Sequence, residues 1–302
     1  MDMKVRKAAK TLIEEAARRA GSGRADPKTV KARAKEARDN RALARRELVA
    51  GGLDPKRLDI LAAKRSTVRQ KRVEQTRQNA IKASAAVGRR LVKLTPVLIP
   101  PADPMNVIID RVTFIRSFAG AGSVADSEIR SLGSWARYRL SGSAGVTESG
   151  TGRLSFFTLW QNPRNEPVVV TTGARLVVNA HLSVDAEWQG VADWFIGGSS
   201  AQATVRARTT VWAMDSTQKS IVHDSIIAQT AASGGFFGDD NSASIAFNEF
   251  LSTSGVAVAA QAYILIEVEL RTEWTATSGS IALDAASGSF QASVPHLVLS
   301  VT

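Results

Sequence analysis

The sequence predicts an α+β chain: a basic α-helical N-terminal region followed by an all-β antiparallel sandwich, jelly-roll-like in size and strand number. Three observations carry this. Hydrophobic periodicity changes from helical to two near Asn106. Positive charge is concentrated before Thr95. All the aromatic residues lie after it.

The charge is partitioned sharply. Residues 1–95 hold 27 Lys and Arg against 10 Asp and Glu, a net of +17, and contain no Phe, Trp, Tyr or His. The rest of the chain holds 12 basic and 18 acidic residues, a net of −6, within an overall +11. Such a split marks a charged interaction arm joined to a folded body. Arginine and lysine at this density favour polyanions, nucleic acid first and anionic membrane second.

The arm, residues 1–94, reads as three helices. The first runs from about Lys4 to Ala20, with Val5, Ala9, Leu12, Ala16 and Ala20 on one face. The second starts at Asp26-Pro27-Lys28, with aspartate suited to the N-cap and proline to the first helical position, and stops at Gly51-Gly52. The third starts with the same device at Asp54-Pro55-Lys56 and extends towards Val92. These stripes are narrow and rich in alanine, so each helix needs an outside partner to offset its ordering entropy. The middle of the third helix is nearly devoid of apolar residues. Lys64, Arg65, Arg69, Lys71, Arg72 and Arg77 are its candidate phosphate contacts. Without an aromatic side chain in the arm, binding there is electrostatic and does not read bases.

Residues 95–105 hold Pro96, Pro100, Pro101 and Pro104 and read as a semi-rigid linker. The body, residues 106–302, alternates cleanly. Leu176, Val178, Ala180, Leu182 and Val184 share one face, as do Val205, Ala207, Thr209 and Val211. Ile264, Ile266, Val268 and Leu270 oppose Leu265, Glu267, Glu269 and Arg271. Further strands are expected at 107–116, 154–160, 168–172, 188–196, 220–228, 280–284 and 290–301, separated by Gly, Ser and Asn clusters. Roughly ten strands without helical interludes imply a sandwich, with a jelly roll preferred.

Sites of enzymatic type find little support. With no cysteine, disulfides and thiolate metal centres are excluded. His181, His223 and His296 have no zinc-hydrolase spacing, and neither GxSxG nor a phosphate-binding glycine loop is present. Asp239-Asp240-Asn241 lacks EF-hand spacing and reads as a turn. Trp160, Trp188, Trp194, Trp212 and Trp274 are expected in cores and interfaces rather than on a stacking platform. No catalytic residue, metal ligand or cofactor is expected. No apolar run is long enough to span a bilayer, and the N-terminus lacks the apolar core of a secretory signal. The expectation is a soluble protein without a cleaved signal, free or within an assembled particle.

The layout of basic arm, short linker and single β domain resembles the coat proteins of small icosahedral viruses. The resemblance covers the whole chain as architecture and no motif carries it. It implies an arm that binds genome and a jelly-roll domain that tiles a shell. Arms in that family are often Gly/Ser/Pro-rich, whereas Asp26-Pro27 and Asp54-Pro55 here begin helices. Three readings follow. The first is a self-assembling, capsid-like homo-oligomer binding nucleic acid without sequence specificity. The second is a lectin-like or adhesin-like module on an oligomeric helical stalk, with a glycan or surface partner. The third is a membrane-acting, toxin-like protein whose first helix enters anionic lipid.

Overall fold

A computed structural model describes residues 105–120, 122–145, 147–187, 199–213, 219–234 and 239–302, together with 74–82 and scattered positions between 42 and 71. The first predicted helix, most of the second, all of the linker but Met105 and the predicted strand at 188–196 lie outside the described residues.

The body is an antiparallel β-sandwich, as its alternation requires. Its strands are β1 (Met105–Ile109), β2 (Phe114–Ala119), β3 (Ser123–Arg130), β4 (Trp135–Ala144), β5 (Glu148–Gln161), β6 (Val168–Ala186) and β7 (Ser199–Ala213). They continue as β8 (Lys219–Gly234), β9 (Asp239–Ser252), β10 (Val256–Val258), β11 (Tyr263–Thr277), β12 (Gly279–Ala285), β13 (Gln291–Ser293) and β14 (Leu297–Val301). One sheet has the order β2-β5-β11-β7-β8. The other contains nine strands arranged five positions wide. β9 and β10 flank one side of β6, and β12, β13 and β14 run in succession along its other side. β4 and β1 pair with that interrupted strand, and β3 forms the far edge against β4.

The interruptions have local causes. Between β12 and β13 the chain turns at 286–290, where Gly288 takes φ +60 and Asp284 Oδ1 accepts the N–H groups of Ala286 and Ser287. Between β13 and β14, Pro295 cannot donate to the ladder. The core lies between the sheets. Leu176, Val178, Leu182 and Val184 of β6 meet Leu154, Phe156, Ile266 and Val268, all at most 2% exposed. Trp274 lies across Gly142, where a Cβ would overlap its indole, and donates Nε1–H to Ser123 Oγ at 2.9 Å.

The structure corrects several strand boundaries. The predicted strand at 107–116 is two strands, β1 and β2, in different sheets. The two segments at 168–172 and 175–185 are one 19-residue strand, continuous through Gly173. Asp239-Asp240-Asn241 opens β9 rather than forming a turn, although Asp239 and Asn241 each accept the next residue's backbone N–H. Residues 290–301 divide into β13 and β14.

Of the arm, residues 74–82 are helical. Upstream, Gly52 (φ +80) closes a turn by donating to Val49 O, and Asp54 Oδ1 accepts the N–H groups of Lys56 and Arg57, as an N-cap does. The half-buried face of 74–82 is Arg77, Ala80 and Ile81. That face rests on the 286–290 turn. The Ile81 side chain lies where Gly288 would carry a Cβ, and Ser289 Oγ donates to Ile81 O at 3.3 Å. Gly288 is therefore required twice, for its positive φ and for this close approach.

Candidate functional site

The strand registers place one transverse row on the outer face of the nine-stranded sheet: Asp126 (β3), Arg139 (β4), Asp284 (β12), His181 (β6) and Ser244 (β9). Each residue is directly opposite the next, so acid and base alternate across the strands. The adjacent row is Val124, Ser141, Ala282, Ser183 and Ser242, all short side chains. Beyond it lies a third row of Ser143, Ser280, Asp185 and Asp240. These short side chains beside the taller row of Asp126, Arg139, Asp284 and His181 leave a trough. A cavity of about 340 Å³ occupies it over β3, β4, β12 and β6, closed on one side by Arg77 from the helix.

Arg77 is the key to that side. Its Nε donates to Asp284 Oδ2 at 2.8 Å, one Nη to Ser287 Oγ at 2.5 Å and the other to Glu74 Oε2 at 3.0 Å. Arg139 approaches Asp284 Oδ1 at 3.6 Å and also donates to Ser287 Oγ. Burial alone would raise the pKa of Asp284, but bonds from Ser287, Arg77 and two backbone N–H groups outweigh it and hold the carboxyl below its usual range. A hydrogen bond from Gln78, then one from Arg77, lowers Glu74 likewise.

His181 is 2% exposed, and neither ring nitrogen has a hydrogen-bond partner among the described residues. Burial, then the Arg77 charge, push its pKa below the usual imidazole value, so the ring is neutral at pH 7. A neutral imidazole keeps one donor and one acceptor, and both are buried away from the trough.

A second cluster covers the outer face of the five-stranded sheet. Glu267 accepts from Ser155 Oγ at 2.8 Å and Trp212 Nε1 at 3.1 Å. Arg153 donates to Glu269 at 3.2 Å and lies 4.6 Å over the Phe118 ring. Phe157, Trp212 and Leu265 form a small apolar layer there, extended by Phe114, Phe118 and Leu159. Burial, then the neighbouring Glu267 charge, raise the pKa of Glu269. Glu267 and Glu269 are 1% and 4% exposed, so a substrate does not reach them and the pair is structural.

The predicted arm contacts divide. Lys64 and Lys71 are exposed on helical residues, while Arg65, Arg69 and Arg72 lie outside the described residues. Arg77 is docked on Asp284 and Ser287. His223 is on β8, and His296 lies 5.4 Å from the Phe250 ring, so neither joins His181. Trp160, Trp212 and Trp274 are buried; Trp188 and Trp194 lie outside the described residues. Among the described residues no group of three His, Asp and Glu is placed to hold a metal ion. No helix among them is long and apolar enough to cross a membrane. The transverse row escaped sequence reasoning because its members are separated by up to 158 positions and meet only through register.

No family model matches the chain, and no curated protein matches it. Among solved structures, TmCBM61 in complex with beta-1,4-galactotriose aligns at 9% identity over 57% of this chain and 90% of its own, with a TM-score of 0.18. An infectious bursal disease virus Gx strain structure aligns at 14% identity over 67% of this chain and 41% of its own, with a TM-score of 0.16. A carbohydrate-binding module of the beta-sandwich superfamily aligns at 7% identity over 58% of this chain and 60% of its own, with a TM-score of 0.21. The chain thus spans less than two thirds of the last two. The architecture rests on strand pairing, and these likenesses add nothing to it.

Proposed function

We propose that the chain is a self-assembling structural subunit, coat-like and non-catalytic, whose basic arm engages nucleic acid or another polyanion without reading sequence. The observation that carries it is the charge partition, +17 in residues 1–95 against −6 in the rest. The strand order supports the finer reading of the sandwich as a jelly roll. Taking β12 to β14 as one strand, β4-β12-β6-β9 faces β5-β11-β7-β8, the two four-stranded sheets of two Greek keys, with β1 to β3 as additions. Docking of 74–82 on one outer face gives the arm a side, so a bound polyanion would lie against the nine-stranded sheet. The opposite signs of arm and body also favour contact between copies.

The test is size exclusion with light scattering on full-length protein purified without nuclease. The expected result is a large species carrying nucleic-acid absorbance that dissociates at high salt. Changing Arg65, Arg69, Lys71 and Arg72 to Gln should reduce the slope of log affinity against log salt by about three to four. A nucleic-acid-free species of small, discrete mass would refute the reading and favour the stalked binding module, for which the trough is the specific observation.

A further inference from the structure

We infer that β1 is a contact edge between copies of this chain, pairing antiparallel with β1 of a second copy so that the nine-stranded sheet runs on across a two-fold axis. The inference deepens the assembly reading and rests on it for the premise that copies meet.

Three observations converge. The first is an open edge. β1 pairs with β14 alone, so on its other side the N–H and C=O groups of alternate residues have no partner among the described residues. Such a row is a template for one more strand. The second is that this edge lacks what protects the others. β3 carries Asp126, Glu128 and Arg130, and meets β2 through the Ser117–Ser127 hydroxyl bond at 2.9 Å. β2 holds Arg116, and β9 opens on Asp239-Asp240 and holds Glu249. β8 breaks register with β7 at two places, and β10 has only three residues. From Met105 to Ile109, β1 has five residues with no charge, no proline and no register break. Charge, bulges and brevity are how proteins stop edges from pairing, so this edge is left free to pair.

The third is the sheet face beside the edge. On the outer face Ile108 is opposite Val298, and Val298 is opposite Gly173. The Phe250 ring leans towards Gly173, 3.8 Å from where a Cβ would stand. Ile108 and Phe250 are each 50% exposed. Apolar residues scattered singly over a surface need no explanation, but here they form a row that runs out to an open edge. A second copy continues that row. The strand is also complementary to itself. Inner and outer faces match only when paired positions keep parity, and pairing about Val107 uses all five residues. Val107 then meets its own counterpart, and Asn106 meets Ile108 of the second copy, as a two-fold contact requires. Roughly four to six hydrogen bonds form per contact, and no like charges come together along it.

The chain has no cysteine, so an engineered thiol pair reports without interference. Full-length Asn106→Cys and Ile108→Cys variants are purified separately, treated with nuclease, mixed and oxidised, and dimers are read on non-reducing gels. In this register positions 106 and 108 of two copies are directly opposite, within disulfide reach. In either variant alone the like thiols are diagonal, about 7–8 Å apart and out of reach. The expected result is a disulfide-linked dimer in the mixture that is lost in each variant alone. In a second measurement, Asn106→Lys with Ile108→Lys sets like charges opposite each other and should lower the mass found by light scattering. Asn106→Glu with Ile108→Lys makes each opposite pair attractive and should restore it; thermal melting checks that both remain folded. No dimer in the mixture, equal dimer in the separate variants, or a mass indifferent to the charge pattern would each overturn the inference. An edge occupied by another stretch of the same chain gives the first of these results. A large, nucleic-acid-bearing species whose mixed variants give no dimer defeats this inference and leaves the assembly reading standing. A mixed dimer in protein free of nucleic acid leaves the edge contact standing and defeats the polyanion-binding arm.

Discussion

At the residue scale, His181 and Arg77 are coupled through Asp284. Burial and Arg77 depress the pKa of His181, so the folded protein binds fewer protons there than the unfolded chain below about pH 6.5. Its contribution is therefore complete above that pH and falls as the pH drops towards the depressed folded value. Asp284 has a lowered pKa too, and its contribution is lost only in stronger acid, as the pH falls from 3.8 through the folded value. Thermal melts between about pH 7.5 and pH 4.5 should show a loss of stability that His181→Gln flattens. A loss of equal size in that variant would place the sensitive group elsewhere. The Arg77–Asp284 bond is half-exposed on the arginine side, so a double-mutant cycle with Arg77→Gln and Asp284→Asn should give a coupling of about 1 kcal/mol.

At the element scale, β5 and β11 show how a sheet can bury charge on its solvent side. Arg153 sits between two glutamates under Phe118, so Arg153→Met removes the guanidinium that pairs with both desolvated carboxylates. Urea unfolding should report a loss of about 3 kcal/mol. An unchanged midpoint would mean that water reaches the cluster. This burial was illegible in the sequence. The alternation of Ile264 to Leu270 identified the core face, but Glu267 and Glu269 looked like ordinary solvent positions. Their cover comes from Phe118 and Trp212 on other strands. β6, β7 and β11 were readable because large aliphatic residues recur at every second position. β4 was not, since Ala136, Gly142 and Ala144 dilute its inward set. β9 begins with Asp239-Asp240-Asn241, which carries turn composition, yet β6 supplies its pairing partner and overrides it. Gly142 is a tight point in the same sheet, and Gly142→Ala should cost about 1–3 kcal/mol because Trp274 has nowhere to go.

For the whole molecule, the C-terminal segment completes both halves of the larger sheet. β14 lies between β1 and β6 and buries Leu297, Leu299 and Val301. Each such side chain stabilises by about 1.5–3 kcal/mol, so removing residues 297–302 takes away most of a domain's net stability. Circular dichroism should show that variant unfolded, or melting far below the full chain. The sandwich class was legible because it depends on composition and period. The trough was not, because it depends on which strand lies beside which.

The pairing of Met105 with Val301 has a practical reach. The strand nearest the arm and the strand ending at Thr302 share one corner of the sandwich. Anything appended after Thr302, a fluorescent reporter or an affinity handle, leaves the body beside the point where the chain enters at Met105. In a closed particle such a label would be sequestered or exposed together with that corner. Protease access to it would therefore reveal the orientation of the subunit without any image of the particle.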